Sequence, residues 1–311
     1  MGVDGEREGW YNPGRKEGGS VHTVRAKTIL SGGNGMNLYR GCTHGCIYCD
    51  SRSLCYQMEH VFEDIEIKEN GLVLLERALK GKKKRCMIGT GAMTDPYLPL
   101  ERDWELTRGA LELIRRYGFG AAVHTKSDLV LRDLELLADI NRKTRAVVQM
   151  TLTTWDDGLC RILEPNVCVT SRRLEVLKAF REAGVPTVVW LAPILPYLND
   201  NRENIAGILD GCAEAGVKGV LCFNMGLTLR DGNREYFYKQ LDRHFPGLKA
   251  RYLREYGNRY EVNSPRNREL MAYFHETCEK TGMIHDVNQV FSYLHRFEEK
   301  EEILQTSFFG E

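Results

Sequence analysis

The chain has 311 residues, with 42% hydrophobic and 28% charged residues, and 43 basic side chains balance 43 acidic ones. That composition excludes a disordered or fibrous chain, and a net charge of zero supplies no global field for drawing in nucleic acid. No apolar stretch reaches the roughly 18 residues of a membrane span, and the polar, Gly-rich start lacks a signal-peptide core, so a folded cytoplasmic protein is expected.

Residues 1–30 read as an N-terminal arm, and Gly32-Gly33-Asn34-Gly35 is a turn into the first strand. Strands are expected near Met36 to Arg40, Arg85 to Gly89, Gly118 to His124, Arg145 to Thr151, Thr187 to Ala192 and Gly219 to Asn224. Helical patterns fall between them at a spacing of roughly 30 residues, the signature of repeated βα units on a parallel sheet. Leu106, Ala110, Leu113, Ile114 and Tyr117 form one apolar helical stripe, and Leu174, Leu177 and Phe180 form another after a cap at Thr170 or Ser171. The basic run Lys82 to Arg85 reads as a solvated turn. After residue 231 the chain becomes charged, helical and rich in aromatics, which suggests a cap over the sheet. In such folds chemistry sits at the C-terminal ends of the strands.

Ten cysteines without a secretion signal point to a reducing compartment, where clustered thiolates bind metal. Three of them fall in Gly41-Cys42-Thr43-His44-Gly45-Cys46-Ile47-Tyr48-Cys49, a CxxxCxxC loop directly after the first strand. Three thiolates from one short loop can hold three corners of a [4Fe-4S] cubane and leave one iron open. The amino and carboxylate groups of S-adenosylmethionine (SAM) can chelate that iron, and one electron then splits the sulfonium. A zinc knuckle with His44 or Cys55 as fourth ligand, or a closed cluster completed by a distant cysteine, uses the same thiolates. The other cysteines read as buried free thiols.

The loop CTHGCIYC and the six βα units resemble the radical SAM superfamily. NLYRGCTHGCIYCDSRS, GTGAMTDPYLPLE, HTKS, and EPNVCVTSRRLEVLKAFREAGVP followed by APILPYLND are similar to its spore photoproduct lyase-like branch, over about residues 22 to 230. The resemblance implies a partial (β/α)6 TIM-type barrel over residues 31–230 and a helical extension over 231–311. It implies a [4Fe-4S] cluster on Cys42, Cys46 and Cys49, SAM as cofactor, and an electron donor such as flavodoxin or ferredoxin. Tyr48 would lie near the adenine of SAM. Gly89, Thr90, Gly91, Thr94 and Asp95 would contact its amino group, Lys126 and Ser127 its carboxylate and ribose. Thr151 and Thr153 would face the cofactor, and Arg173 would pair with the carboxylate. Plain structural readings stand beside these: a turn and cap at Thr94-Asp95-Pro96, a solvated Lys126, and an Arg173 paired with Glu164 or Glu182.

One position departs from the branch. In the DNA-repairing lyase a cysteine three residues before the Asp of the second-strand motif returns a hydrogen atom to the product radical; here that residue is Ala92. Cys86, Cys160 and Cys222 are possible replacements. The substrate, small molecule or nucleic acid, is left open; His124, Asp156, Asn199, Asp200 and Asn224 are candidates for touching it. A DNA-repair lyase and a non-enzymatic iron-sulfur or zinc redox sensor are the alternative functions.

Overall fold

The computed structural model describes residues 20–300. Its strands, in chain order, are β1 (Val21–Val24), β2 (Gly35–Met36), β3 (Tyr39–Arg40), β4 (Ile65–Lys68), β5 (Met87–Thr90), β6 (Gly120–Thr125), β7 (Ala146–Thr151), β8 (Thr187–Trp190), β9 (Gly219–Leu221), β10 (Gly226–Thr228) and β11 (Glu261–Asn263). The helices are α1 (Gly71–Gly81), α2 (Glu101–Trp104), α3 (Leu106–Arg116), α4 (Leu134–Lys143), α5 (Asp157–Leu163), α6 (Thr170–Glu182), α7 (Arg202–Glu214), α8 (Asn233–His244), α9 (Leu248–Tyr256), α10 (Asn267–Thr281) and α11 (Val287–His295).

Six strands make one sheet in the order β2-β5-β6-β7-β8-β9, with every pair parallel. Both faces of its central strands are buried, as a helix-flanked parallel sheet requires. Because side chains alternate along a strand, Ala121, Val123, Val148, Met150, Val189 and Val220 join the large core on one face. Ala122, Val147, Val188 and Leu221 point the other way and pack on Val290 and Leu294 of α11. Helix α11 therefore covers this inner face of the sheet. The polar and aromatic residues of that face, His124, Gln149 and Trp190, lie farther along the strands.

The expected first strand is two. Gly35–Met36 pairs with β5, while Tyr39–Arg40 pairs antiparallel with β4 in a separate sheet ordered β1-β4-β3. Lys68 holds the crossing point, its Nζ donating to the Asn37 carbonyl at 2.8 Å. The N-terminal arm is not wholly loose: residues 1–19 lie outside the described region, but Val21–Val24 is a strand in parallel register with Ile65–Lys68. In the C-terminal region β11 pairs with β10, and Ile284 bridges Gly219 at the edge of the large sheet. Among the described residues no helix is long and apolar enough to cross a membrane.

Candidate functional site

The short β3 delivers the chain into the cysteine loop. Gly41 makes the bend at a φ of +90°, where an added Cβ would stand 2.7 Å from the Phe62 carbonyl oxygen, so no larger residue fits. The Cys42 amide then donates to that same carbonyl at 2.9 Å. Cys42, Cys46 and Cys49 are free thiols. Together with His44, Tyr48, Ser51, Gly91, Ala92, Met93, Asp95, His124, Thr125 and Lys126 they line a cavity of about 120 Å³. Burial pushes the Cys42 thiol up to about 12, and raises that of Cys46 well above its ordinary value.

Lys126 is the cation of this cavity. Burial works against its charge, but Cys46, Glu164 and Asp95 outweigh that and raise its pKa. Asp95 is held below the carboxylate range despite burial, by His44 and by three donors: Thr125 Oγ1 at 2.6 Å, the Lys126 amide at 2.8 Å and the Tyr97 amide at 2.9 Å. Its hydrogen bonds thus tie the loop after β5 to the end of β6. Gly91 sits between them at a φ of +95°, where a Cβ would come within 1.9 Å of the His124 carbonyl oxygen.

A second buried layer lies beneath the loop. Glu164 is the hub: it pairs with Arg173 at 2.5 Å, accepts from the Tyr48 hydroxyl, and lies 3.4 Å from Thr153 Oγ1. Burial opposes the charge of Glu164, yet Arg173, Lys126 and Tyr48 hold its pKa below the ordinary value. Arg173 Nη1 also donates to the Thr151 carbonyl at 3.0 Å, while its buried Nε has no partner among the described residues. On the inner face Thr151 Oγ1 bonds His124 Nε2 at 2.9 Å, and the His124 ring stacks on Trp190 at 4.7 Å. Burial and Lys126 push His124 down to about 3, so it is neutral.

The cavity thus gathers Cys42, Cys46, Cys49, Tyr48, Gly91, Asp95 and Lys126. The other expected site residues stand around it. Thr151 reaches it through His124, and Thr153 and Arg173 through Glu164 and Tyr48. Thr94 lines a neighbouring pocket with Tyr39 and Tyr56. Ser127 caps the turn after β6, accepting from the Leu129 amide at 3.2 Å. Gly89 and Thr90 lie within β5, and a Cβ on Gly89 would meet open space. Sequence reasoning gave Glu164 only as a partner for Arg173. A buried acid 115 residues beyond Cys49 carries no local signal of its position under the loop.

The donor set fits an iron-sulfur cluster with one iron open. Three soft thiols on one cavity suit three corners of a cubane, whereas a structural zinc takes four protein ligands. Of the two proposed fourth ligands, His44 lines the cavity and Cys55 does not. His44 Nδ1 lies 3.5 Å from the Asp95 carboxylate, and the exposed Cys55 accepts from Arg230 at 3.4 Å.

The family model of the radical SAM superfamily matches residues 36–209, and the chain belongs to that superfamily. It is 33% identical over 242 residues to uncharacterized proteins of Mycobacterium bovis and Mycobacterium tuberculosis, covering 76% of this chain and 70% of theirs. An uncharacterized protein of Methanocaldococcus jannaschii is 31% identical over 167 residues, 53% of this chain and 61% of its own. Among solved structures, spore photoproduct lyase complexed with dinucleoside spore photoproduct superposes with a TM-score of 0.60 over 85% of this chain and 81% of its own. At 14% identity that likeness is one of fold.

Proposed function

We propose that Cys42, Cys46 and Cys49 hold a [4Fe-4S] cluster with one iron open to SAM, and that the chain removes a hydrogen atom from a substrate on the inner face of its sheet. The supporting observation is the convergence of three free thiols, Lys126 and the Gly91 turn on one cavity, in a chain of the radical SAM superfamily. When bound, the cluster supplies one electron that splits the SAM sulfonium into methionine and a 5'-deoxyadenosyl radical. The chain's own residues hold and shield this chemistry. Lys126 offsets the negative charge of the thiolates. Gly91 leaves the backbone bare beside the cavity, where it would accommodate the SAM amino group. Glu164 and Arg173 fix Tyr48, and Thr151 orients the neutral His124 toward substrate.

In this reading the six-stranded sheet is a partial (β/α)6 barrel over residues 31–230, and the extension expected over 231–311, of which 301–311 lie outside the described residues, covers it from residue 231 to 300. The enzyme works in the cytoplasm, and a flavodoxin- or ferredoxin-type protein delivers the electron. Thr94, Ser127, Thr153 and the β5 residues Gly89 and Thr90 complete the SAM site.

DNA repair of the lyase type is the less supported reading. Ala92 faces the cavity where that chemistry needs a thiol. Cys160 is buried beside Glu164, Cys222 lies against Met271, and Cys86 packs on the outer core.

Anaerobic reconstitution with iron and sulfide, followed by dithionite and SAM, should yield 5'-deoxyadenosine. An iron-loaded chain that forms no nucleoside overturns the proposal. Restored thymidine from ultraviolet-irradiated spore-type DNA would instead establish repair.

A further inference from the structure

The small β1-β4-β3 sheet carries a second constellation of donors, away from the cysteines. His22 of β1 and Glu66 of β4 are direct register partners in the parallel pair, so their side chains share one face. His60, from the loop before β4, completes the group: one donor atom from each of the three lies within 4.8 Å of the others. The two imidazole rings meet edge to face at 4.8 Å.

Hydrogen bonding decides which nitrogens are available. His60 Nδ1 stands 3.1 Å from the Val61 carbonyl, which only accepts, so that nitrogen carries the proton and Nε2 keeps its lone pair. This Nε2 is buried, has no hydrogen-bond partner among the described residues, and lies 3.7 Å from Glu66 Oε2. His22 Nδ1 is likewise engaged, 3.1 Å from Asp64 Oδ1, which leaves its Nε2 as the ligating nitrogen. Both imidazoles therefore have the support that metal-bound histidines use, a carboxylate or a backbone carbonyl on the far nitrogen.

We propose that His22, His60 and Glu66 bind one divalent transition-metal ion, zinc by the character of the donors, at a site separate from the cysteine loop. Two imidazoles and one carboxylate are a borderline donor set that suits zinc and leaves a coordination position open. The His22 side chain is 39% exposed, so water has access to that position. An ion here ties β1 to the 60–66 segment. That segment also carries the Phe62 carbonyl to which the Cys42 amide is bonded, so the ion steadies the entry to the cysteine loop from outside it.

The test uses tag-free full-length chain in which Cys42, Cys46 and Cys49 are alanine, so failure of the cluster assignment leaves it unaffected. After chelator dialysis, zinc is titrated in competition with a chromophoric chelator, and cobalt is added as a spectroscopic stand-in. One equivalent of zinc should bind, and cobalt should give visible ligand-field bands without thiolate charge transfer. Glu66→Gln, which preserves shape, and His60→Ala should each weaken binding at least tenfold, and Asp64→Asn by about tenfold through the imidazole it supports. Circular dichroism checks the fold of each variant, and the Glu66→Gln result stands alone should His60→Ala not fold. Absence of saturable binding, or binding indifferent to Glu66→Gln, would mean that a protonated His60 merely pairs with Glu66, and the site falls.

Discussion

Two buried ion-pair networks stand on either side of the loop after β5, and they differ in how well they are sealed. In one, Glu101 and Asp133 are fully buried and share Arg132, which lies 2.9 Å from the first and 2.8 Å from the second. Arg108 adds 2.6 Å to Asp133, Tyr97 donates to Asp133 at 3.0 Å, and the Tyr39 hydroxyl donates to Glu101. Its arginines reach solvent, with Arg132 20% and Arg108 37% exposed. The other network, Glu164 with Arg173, is sealed on both sides, each partner 0% exposed. The first pins helices and turns; the second lies beneath the cysteines. Burial of a charge is costly in both, but only the arginines of the first can turn to water when a partner is removed.

The sharpest way to break this division of labour is at the cysteines themselves. Cys46→Ala should lower 5'-deoxyadenosine formation at least 1000-fold, about 4 kcal/mol of barrier, while the melting temperature moves little; anaerobic product assay and calorimetry check it. Next is Glu164→Gln. It strands Arg173 in a dry site and should cost about 3–5 kcal/mol of stability, together with a loss of SAM cleavage per folded molecule, because Tyr48 loses its acceptor. Glu101→Gln should cost less, about 1–3 kcal/mol, and leave cleavage per folded molecule unchanged. Equal stability losses from the two would sink the comparison.

Acid should distinguish them too. The folded pKa of Glu164 lies below its ordinary value of 4.5. Its contribution is therefore complete above that pH and is lost as the pH falls through the lower, folded value. Urea midpoints measured downward from pH 5 should drop, and the drop should be shallower in Glu164→Gln. The smallest effect is expected from Ala92→Cys: less than about 0.5 kcal/mol in stability and unchanged SAM cleavage, since the residue lines the cavity without holding any group in it.

Much of the architecture was legible from local pattern. Five of the six parallel strands fall at the expected runs because β-branched and small apolar residues buried on both faces read as strands whatever surrounds them. The cysteine loop was legible because its thiols all fall between residues 42 and 49, close enough in sequence to be brought to one cavity. Met36 to Arg40 read as one strand because no Gly or Pro breaks Met36-Asn37-Leu38-Tyr39-Arg40; the partner of its second half, Ile65–Lys68, lies beyond the loop and has no local signature.

What the sequence determined by itself is therefore whatever is encoded within one element: helix stripes, strand runs and the CxxxCxxC spacing. The tertiary structure alone decided which distant residues meet. It placed Glu164 under Tyr48, Lys126 beside Cys46, and His22 opposite Glu66. The first two pairings rest on burial of loop and helix-end residues; the third rests on the register of β1 with β4, where a one-residue slip would turn His22 to the other face.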